Sequence, residues 1–559
     1  MKNWKLFVTP LFLAAALLLA STCQAQTPNF LVAGSSALFN AVAVSAESPD
    51  PITSANGPCT GVGGTFNWTT KSSGTNLAAG IDPRAGVPAE PGNLWVVWGQ
   101  DNSVPPNITV VCAYLSVDSM VGQRLLYGVD ATGKNATLSL GAAATSTTGD
   151  NAVPYLPADQ AALPAAVYAI LNGAQIQAAM TDIRPEDGQF AVQRAQQAVD
   201  SLRDGLGYGP SPLGTAVQSA FTATSAQVIA YNLSGTDPIS GGPVTPGQTI
   251  SIGADPIIWF VNKSSTVNPG DFGSLNPTNI LSHTAAQILA GYLGRTVDVS
   301  GTQGVAPQPL TVVIREPISG TYNTVEWQIV RAKGTALSQE YGINPATQNP
   351  AIVAGPGGSV RERAIGTGEM IKQVNAITNA IGYAFWGYSN FSGKANVKYL
   401  KLDDVDPLFQ TYTNGAFPTA TGVAPSITLS APVPNFANIL DGGYRNWSTI
   451  RMILPKTVTY AGSFFQQVIN ATQDQAHSTL PDFVPYQYCA NAACSSYTPG
   501  LPVFRSHYNI NGITGVDPTI PAYHVEQGGD MAGAIENVQS DLDYFADSGH
   551  TALLTGFLQ

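Results

Sequence analysis

Short apolar runs alternate with stretches of helical spacing along much of the chain. Residues 29–44 (NFLVAGSSALFNAVAV) predict an apolar strand, a Gly-Ser-Ser turn and an apolar helix. Ile108 to Leu115 predicts a second strand, and the helix after it begins at Asp118 or Ser119, either of which can cap it. Ala165–Asn172 predicts a helix with Pro164 in its first turn. Gln175–Thr181 alternates through Ile176, Ala178 and Met180. Asp182-Ile-Arg-Pro-Glu-Asp then opens a helix to about Leu202, and Pro185, Glu186 and Asp187 suit its first turn. Pro256–Asn262 reads as a buried strand, Ala285–Leu293 as a helix stopped by Gly294, Glu369–Ala380 as a helix, and Ile381–Trp386 as a buried strand. Two further helices are expected over 460–472 and about 530–545. Strands alternating with helices predict an α/β class with a mainly parallel sheet. Stretches rich in Gly, Pro, Ser, Thr and Asn over about 48–105, 130–157 and 204–250 read as large loop insertions.

One segment concentrates chemistry. Thr311–Ile314 predicts a strand, Pro317 a turn, and Tyr322, Val325 and Ile329 share one face of a following helix. Ser319, Gly320 and Thr321 therefore stand at a helix start, where unpaired N–H groups and the positive end of the dipole gather. Arg315, four residues before Ser319, can add a bidentate fork for a tetrahedral oxyanion. An ordinary strand–turn–helix with a Ser cap has the same local pattern.

Composition narrows the setting. The 559 residues are enough for a large core and at least two globular units. Only 11% are charged while Gly (56) and Pro (40) abound, a balance that suits a secreted, loop-rich protein. The start MKNWKLFVTPLFLAAALLLASTCQA has Lys2 and Lys5, an apolar run and small residues, so residues 1–25 are expected to be a signal peptide cleaved near Ala25. Export to the periplasm or beyond follows; a lipid anchor on Cys23 is disfavoured by Thr22 and Ala20. No later apolar run is long enough to span a bilayer. Loss of Lys2 and Lys5 takes the formal charge from −12 to −14, which argues against nucleic acid as a partner and leaves a small anion open. The remaining Cys59, Cys112, Cys489 and Cys494 are expected to form the disulfides Cys59–Cys112 and Cys489–Cys494, and neither Cys nor His spacing predicts a metal or cofactor site.

The ordered series of these segments resembles the periplasmic phosphate-binding proteins of ABC transporters (PstS-type), which have the type II periplasmic binding protein fold. The residues that carry the resemblance are VVIREPISGT, then AITNAIGYAFWGYSNFSGKANVKYLKLDDVDP, GSSALF at 34–39, GAQIQAAMTDIRPED, PIIWFVN and GGYRNWSTIRMIL. About two-thirds of the chain after residue 25 is covered, and not the insertions or most of the tail beyond 480. The resemblance implies a two-lobed α/β fold: 26–258 as the first part of lobe I, 259–384 as lobe II, and 385–559 as the return to lobe I with a C-terminal extension. Hinges would lie near Val261-Asn262 and Gly382-Tyr383. It implies phosphate contacts at Ser35, Ser36, Ala37 and Leu38 in the first loop, Ser119 and Asp182 in lobe I, and Arg315, Ser319, Gly320 and Thr321 in lobe II, with an ABC permease as a possible partner. Asp182 would accept from a protonated phosphate and repel sulfate, which has no proton to give.

The pattern departs from the family in two places. Ala37 stands where the family has Thr, leaving Ser35, Ser36 and backbone N–H groups to serve. Ser119 is the better-placed serine of the second helix start, although Lys71-Ser72-Ser73-Gly74 copies the letters more closely. Asp118 beside Ser119 adds a second carboxylate, which should lower affinity for a dianion. The expected function is binding of phosphate or a related oxyanion between two lobes, without catalysis. The alternatives are a surface protein that keeps the fold without transport, or a secreted phosphatase. For the last, only His507 and the His524/Glu526 pair offer a base, and no GxSxG or HExxH pattern supports it.

Overall fold

The computed structural model describes residues 26–71, 77–79, 92–103, 107–185, 188, 231–264, 278–290, 295–296, 308–315, 319–330, 339, 360–364, 366–494 and 496–501. The expected signal peptide, the helix to Leu202 beyond its start, the turn at Pro317, the helix near 530–545 and the residues His507, His524 and Glu526 lie outside them. Among the described residues, no helix is long and apolar enough to cross a membrane.

Eleven strands and five helices position the site. In chain order they begin with β1 (Phe30–Gly34), α1 (Phe39–Glu47), β2 (Gly64–Thr70), β3 (Asn93–Asp101), β4 (Asn107–Ser116), α2 (Ser119–Tyr127) and β5 (Ala178–Thr181). The long β6 (Gly247–Asn262), β7 (Thr311–Arg315), α3 (Gly320–Val325) and β8 (Val360–Ala364) follow. Last come α4 (Gly366–Ala376), β9 (Ala380–Phe385), β10 (Val397–Leu402), β11 (Trp447–Pro455) and α5 (Phe464–Ser478). They lie in one sheet of order β8-β7-β9-β6-β11-β5-β1-β4-β3-β2, with β10 also on β6.

The α/β class is as the sequence predicts, but the sheet is mixed rather than mainly parallel. Two parallel groups, β5-β1-β4 and β8-β7-β9, are joined by antiparallel β6 and β11. The joining strand is β6. Its Gly247–Pro256 part pairs with β11 and its Ile257–Val261 part with β9, so one strand belongs to both halves of the sheet.

Strand alternation builds the core. In β1, Leu31 and Ala33 enter one apolar cluster with Met120 and Leu125 of α2, while Phe30 and Val32 enter another with Val42 of α1 and Val468 of α5. Helices therefore cover both faces of the first half, and β1 reads as a fully apolar run because neither face meets water. A third cluster, with Trp259, Phe260, Ile314, Val374 and Phe385, fills the second half.

The described residues of 48–105 do not form the irregular insertion their composition suggests. They include β2 and β3, which extend the sheet antiparallel to β4. Trp68, Trp95 and Trp98 are buried there, and burying such rings outweighs the loop-like Gly, Thr and Asn around them. Cys59 is joined to Cys112 of β4, and Cys489 to Cys494, the pairings expected from the sequence. The loop expected up to residue 250 gives way to β6 already at Gly247.

Buried acids gather where the halves join. Asp482, in the loop after α5, accepts from Tyr388 N at 2.8 Å, and burial pushes its carboxyl up from 3.8 to about 7. Burial, then the neighbouring Asp482 and Asp182, also push up Asp255 of β6. The folded chain keeps a proton on Asp482 that the unfolded chain gives up above the ordinary carboxylate range. Between about pH 4 and about pH 7 the native state thus binds more protons, and this residue's contribution to stability falls as pH rises. Urea unfolding across that window should show a shallower pH dependence in Asp482→Asn than in the wild type; identical slopes would contradict the assignment.

Candidate functional site

Local sequence places the second-half donors. The extended β7 carries Arg315 to its end, and Ser319 caps α3 with its Oγ accepting from Tyr322 N at 3.4 Å. The helix is six residues of α form and then widens into π turns over Glu326–Val330. Gly320 passes so close to the Asp182 carboxylate that an added Cβ would overlap Oδ1. A side chain there would have to push the Asp182 carboxylate aside.

First-half groups come from three strand ends. Asp182 directly follows β5, Ser119 opens α2 after β4, and Ser35 and Ser36 follow β1. Gly34 ends β1 with φ +142°, and a Cβ on it would strike the Met180 carbonyl. Ser35 N donates to that same carbonyl at 2.8 Å, its Oγ accepts from Ala37 N at 3.2 Å, and its carbonyl accepts from the Tyr114 hydroxyl. The backbone N–H groups of Ser35 and Ala37 that the sequence offered to an anion are thus engaged internally. Leu38 is fully buried in the core beside α1. Of this loop, Ser36 reaches across, with its Oγ 3.1 Å from Thr367 Oγ1 on α4.

The two sets meet around one carboxylate and one guanidinium. Asp182 Oδ1 accepts from Ser119 Oγ, and Oδ2 accepts from Thr321 Oγ1 at 3.4 Å. The Asp182 carbonyl accepts from Ser448 Oγ on β11, which fixes the turn that aims the carboxylate. Arg315 Nη1 lies 3.4 Å from Thr321 Oγ1 and 3.3 Å from Thr367 Oγ1, while Nη2 lies 3.3 Å from Asp118 Oδ1. The backbone of Arg315 is held as well: its N–H donates to the Tyr383 hydroxyl at 3.2 Å, and its carbonyl accepts from Arg363 Nη1 at 3.1 Å.

Ser119, Asp182, Arg315, Thr321 and Thr367 are each exposed by 2% or less. Burial raises the Asp182 carboxyl above its usual range, against the opposing pull of Ser119, Arg315 and Thr321. In such a setting an acid, a guanidinium and several hydroxyls offer both an acceptor and multiple donors to a small polar guest.

The structure thus brings Ser36, Ser119, Asp182, Arg315, Ser319, Gly320 and Thr321 together, and turns Ser35, Ala37 and Leu38 into the loop and core. It differs from the sequence expectation at Asp118, which precedes α2 but makes no capping hydrogen bond with its side chain. The carboxylate is drawn to Arg315 instead. Ser72, Ser73 and Gly74 lie outside the described residues. Sequence reasoning missed Thr367, Arg363 and Tyr383. For Thr367 a signal exists in Gly366-Thr367-Gly368, a hydroxyl between glycines at the start of a helix with Met370, Ile371 and Val374 on its buried face.

No known family model matches the chain, and neither does any curated protein. Among solved structures it is similar to a high-affinity periplasmic phosphate-binding protein (PfluDING) bound with phosphate, with 12% identity and a TM-score of 0.31 over 68% of this chain and 84% of that one. A DING protein gives 11% identity and a TM-score of 0.30, covering 66% and 80%. An ABC-type phosphate transport receptor from Vibrio cholerae gives 15% and 0.25, covering 42% and 72%. At these scores the likeness carries no weight for the function of this chain.

Proposed function

We propose that the chain is an extracytoplasmic solute-binding protein that holds phosphate, or a related protonated oxyanion, between the two halves of its sheet. The observation that carries this is the meeting of Asp182 and Ser119 from one half with Arg315, Thr321 and Thr367 from the other, joined by hydrogen bonds. Arg315 and the hydroxyls supply donors for the anion, and Asp182 accepts from its proton. Sulfate, which brings no proton, meets an acceptor with an acceptor and is rejected.

In this reading residues 26–258 belong to one lobe and 259–384 to the other; of the return expected over 385–559, β10 pairs with Trp259–Asn262 in the second half, and β11 pairs with Gly247–Pro256 and β5 in the first. The change of partner along β6, from β11 to β9 between Pro256 and Ile257, supports a boundary close to there. Opening about that junction admits the ligand, and closure assembles the donors. An ABC permease would then be the receiving partner, and the chain itself would catalyse nothing.

Isothermal calorimetry tests the proposal directly. Inorganic phosphate should release or absorb heat saturably with one site per chain, and sulfate should not. Absence of any phosphate heat would overturn the proposal and favour a surface protein that uses the same buried hydrogen bonds as a structural seam.

A further inference from the structure

Two acids meet away from the proposed site, where the exit of α1, α5 and a disulfide-closed hairpin come together. Asp474 of α5 is 1% exposed, and its Oδ1 accepts from Cys489 N at 2.7 Å. Cys489 ends the first strand of the hairpin, Gln487–Cys489 paired with Tyr497–Pro499, and is bonded to Cys494 in the connecting loop. Asp50 shares a hydrogen bond with the Asp474 carboxyl. It belongs to the turn after α1, where its Oδ1 accepts from Ile52 N and Thr53 N, each at 2.8 Å. Next along α5, Gln475 Nε2 donates to the Pro49 carbonyl at 3.1 Å, and one turn back Asn470 Nδ2 donates to the Tyr497 hydroxyl at 2.6 Å.

Two ionised carboxylates cannot hydrogen-bond to each other, because each is acceptor-only; the contact exists while one of them carries a proton. We propose that Asp50 and Asp474 form a proton-dependent latch, which clamps the turn after α1 and the hairpin onto α5 in acid and loses its hold as the pH rises toward neutrality. The shared proton joins Asp50 to Asp474, and the second contact of Asp474 carries the link on to Cys489. Without that proton two like charges face each other in a largely buried place, and the three elements are pushed apart. The latch is independent of what the site between the halves of the sheet holds.

The surroundings favour the protonated pair. Burial pushes the Asp474 carboxyl up to about 7; the Cys489 N–H pulls it down, and Asp50 pushes it up again. From the hairpin, Tyr497 faces both acids, and burial and then their charges raise its hydroxyl, as Tyr497 in turn raises that of Tyr460. His477, the next turn of α5, is stacked on Tyr488 at 3.6 Å, and burial holds it below its usual range. Glu47, at the end of α1, is itself pushed up to about 7 by burial. The sign follows from linkage. An acid raised in the closed form binds more protons there than in the open form, where it titrates in the ordinary carboxylate range. Opening therefore becomes easier as the pH rises to about 7, and no easier beyond it.

The test is hydrogen exchange of the full chain, read by mass spectrometry on the peptide that carries Cys489, from about pH 5 to about pH 8, with each rate corrected for the intrinsic pH dependence of amide exchange. In the wild type, protection should fall severalfold per pH unit, at most about tenfold, up to neutrality and then level off. Asp50→Asn keeps an oxygen for Ile52 N and Thr53 N, and its amide donates to the Asp474 carboxylate throughout the range. Its protection should stay nearly flat, while Glu47→Gln should keep the wild-type fall. Titration of His477 is common to all three proteins and drops out of the comparison. Flat protection in the wild type, equal falls in the wild type and Asp50→Asn, or a fall abolished by Glu47→Gln would overturn the inference. If Asp50→Asn does not fold, Asp474→Asn decides by the same criterion, since its oxygen can accept from Cys489 N while its amide donates to Asp50.

Discussion

Arg315→Ala is expected to weaken phosphate binding by about 2–5 kcal/mol, or roughly thirtyfold to several thousandfold. The guanidinium is 2% exposed and touches Thr321, Thr367 and Asp118 at 3.3–3.4 Å, so its removal takes a buried cation and its donors out of the site. Much of the loss is the cost of a buried ligand charge left without a partner. Arg315→Lys should recover only part of it, because an ammonium supplies a point charge and not a planar fork. Calorimetry on folded variants decides; wild-type affinity in Arg315→Ala would remove Arg315 from the site.

Asp237→Ala is expected to lower folding stability by about 3–5 kcal/mol, the usual cost of breaking a buried ion pair by removing one partner. Both side chains of the Arg124–Asp237 pair are 0% exposed. The carboxylate also accepts from Val129 N at 3.1 Å, Ile239 N at 2.8 Å and Ser240 N at 2.9 Å. It thereby staples the loop before β6 to the end of α2, the helix that begins with Ser119. Removing it leaves Arg124 buried and three backbone donors without that acceptor. Urea unfolding measures the effect, and a change below about 1 kcal/mol would show that the surrounding structure re-solvates the arginine. Asp237→Asn should fall between, since the amide oxygen can still accept.

These two residues also mark what the chain revealed and what it hid. Arg315 and Ser319 were legible locally, because a strand, a turn and a helix face fix where a cap and a nearby cation must stand. Asp182 had no comparable local signature; only the resemblance to a family singled it out from other capping acids. The Arg124–Asp237 pair joins residues 113 apart, and no local pattern announces such a partnership. Composition misled at 48–105, where Gly and Pro masked β2 and β3, although LWVVW from Leu94 to Trp98 carried the apolar run of a strand buried on both faces. Asp118, like Ser119 beside it, looked like a helix cap from the local sequence. A buried guanidinium from the other half of the sheet attracts its carboxylate more strongly than the N–H groups of its own helix do.

The long strand β6 bears on how the molecule holds together. Along Gly247–Val261 it is hydrogen-bonded to β11 and then to β9, with a single bulge between Ser251 and Gly253. A loop between two lobes lets each melt alone, whereas a shared strand passes backbone bonding from one to the other. The interior of such a strand is among the last backbone to exchange with solvent. The two halves are therefore expected to unfold as one cooperative unit, in which a lesion at either end of the sheet is felt by the whole.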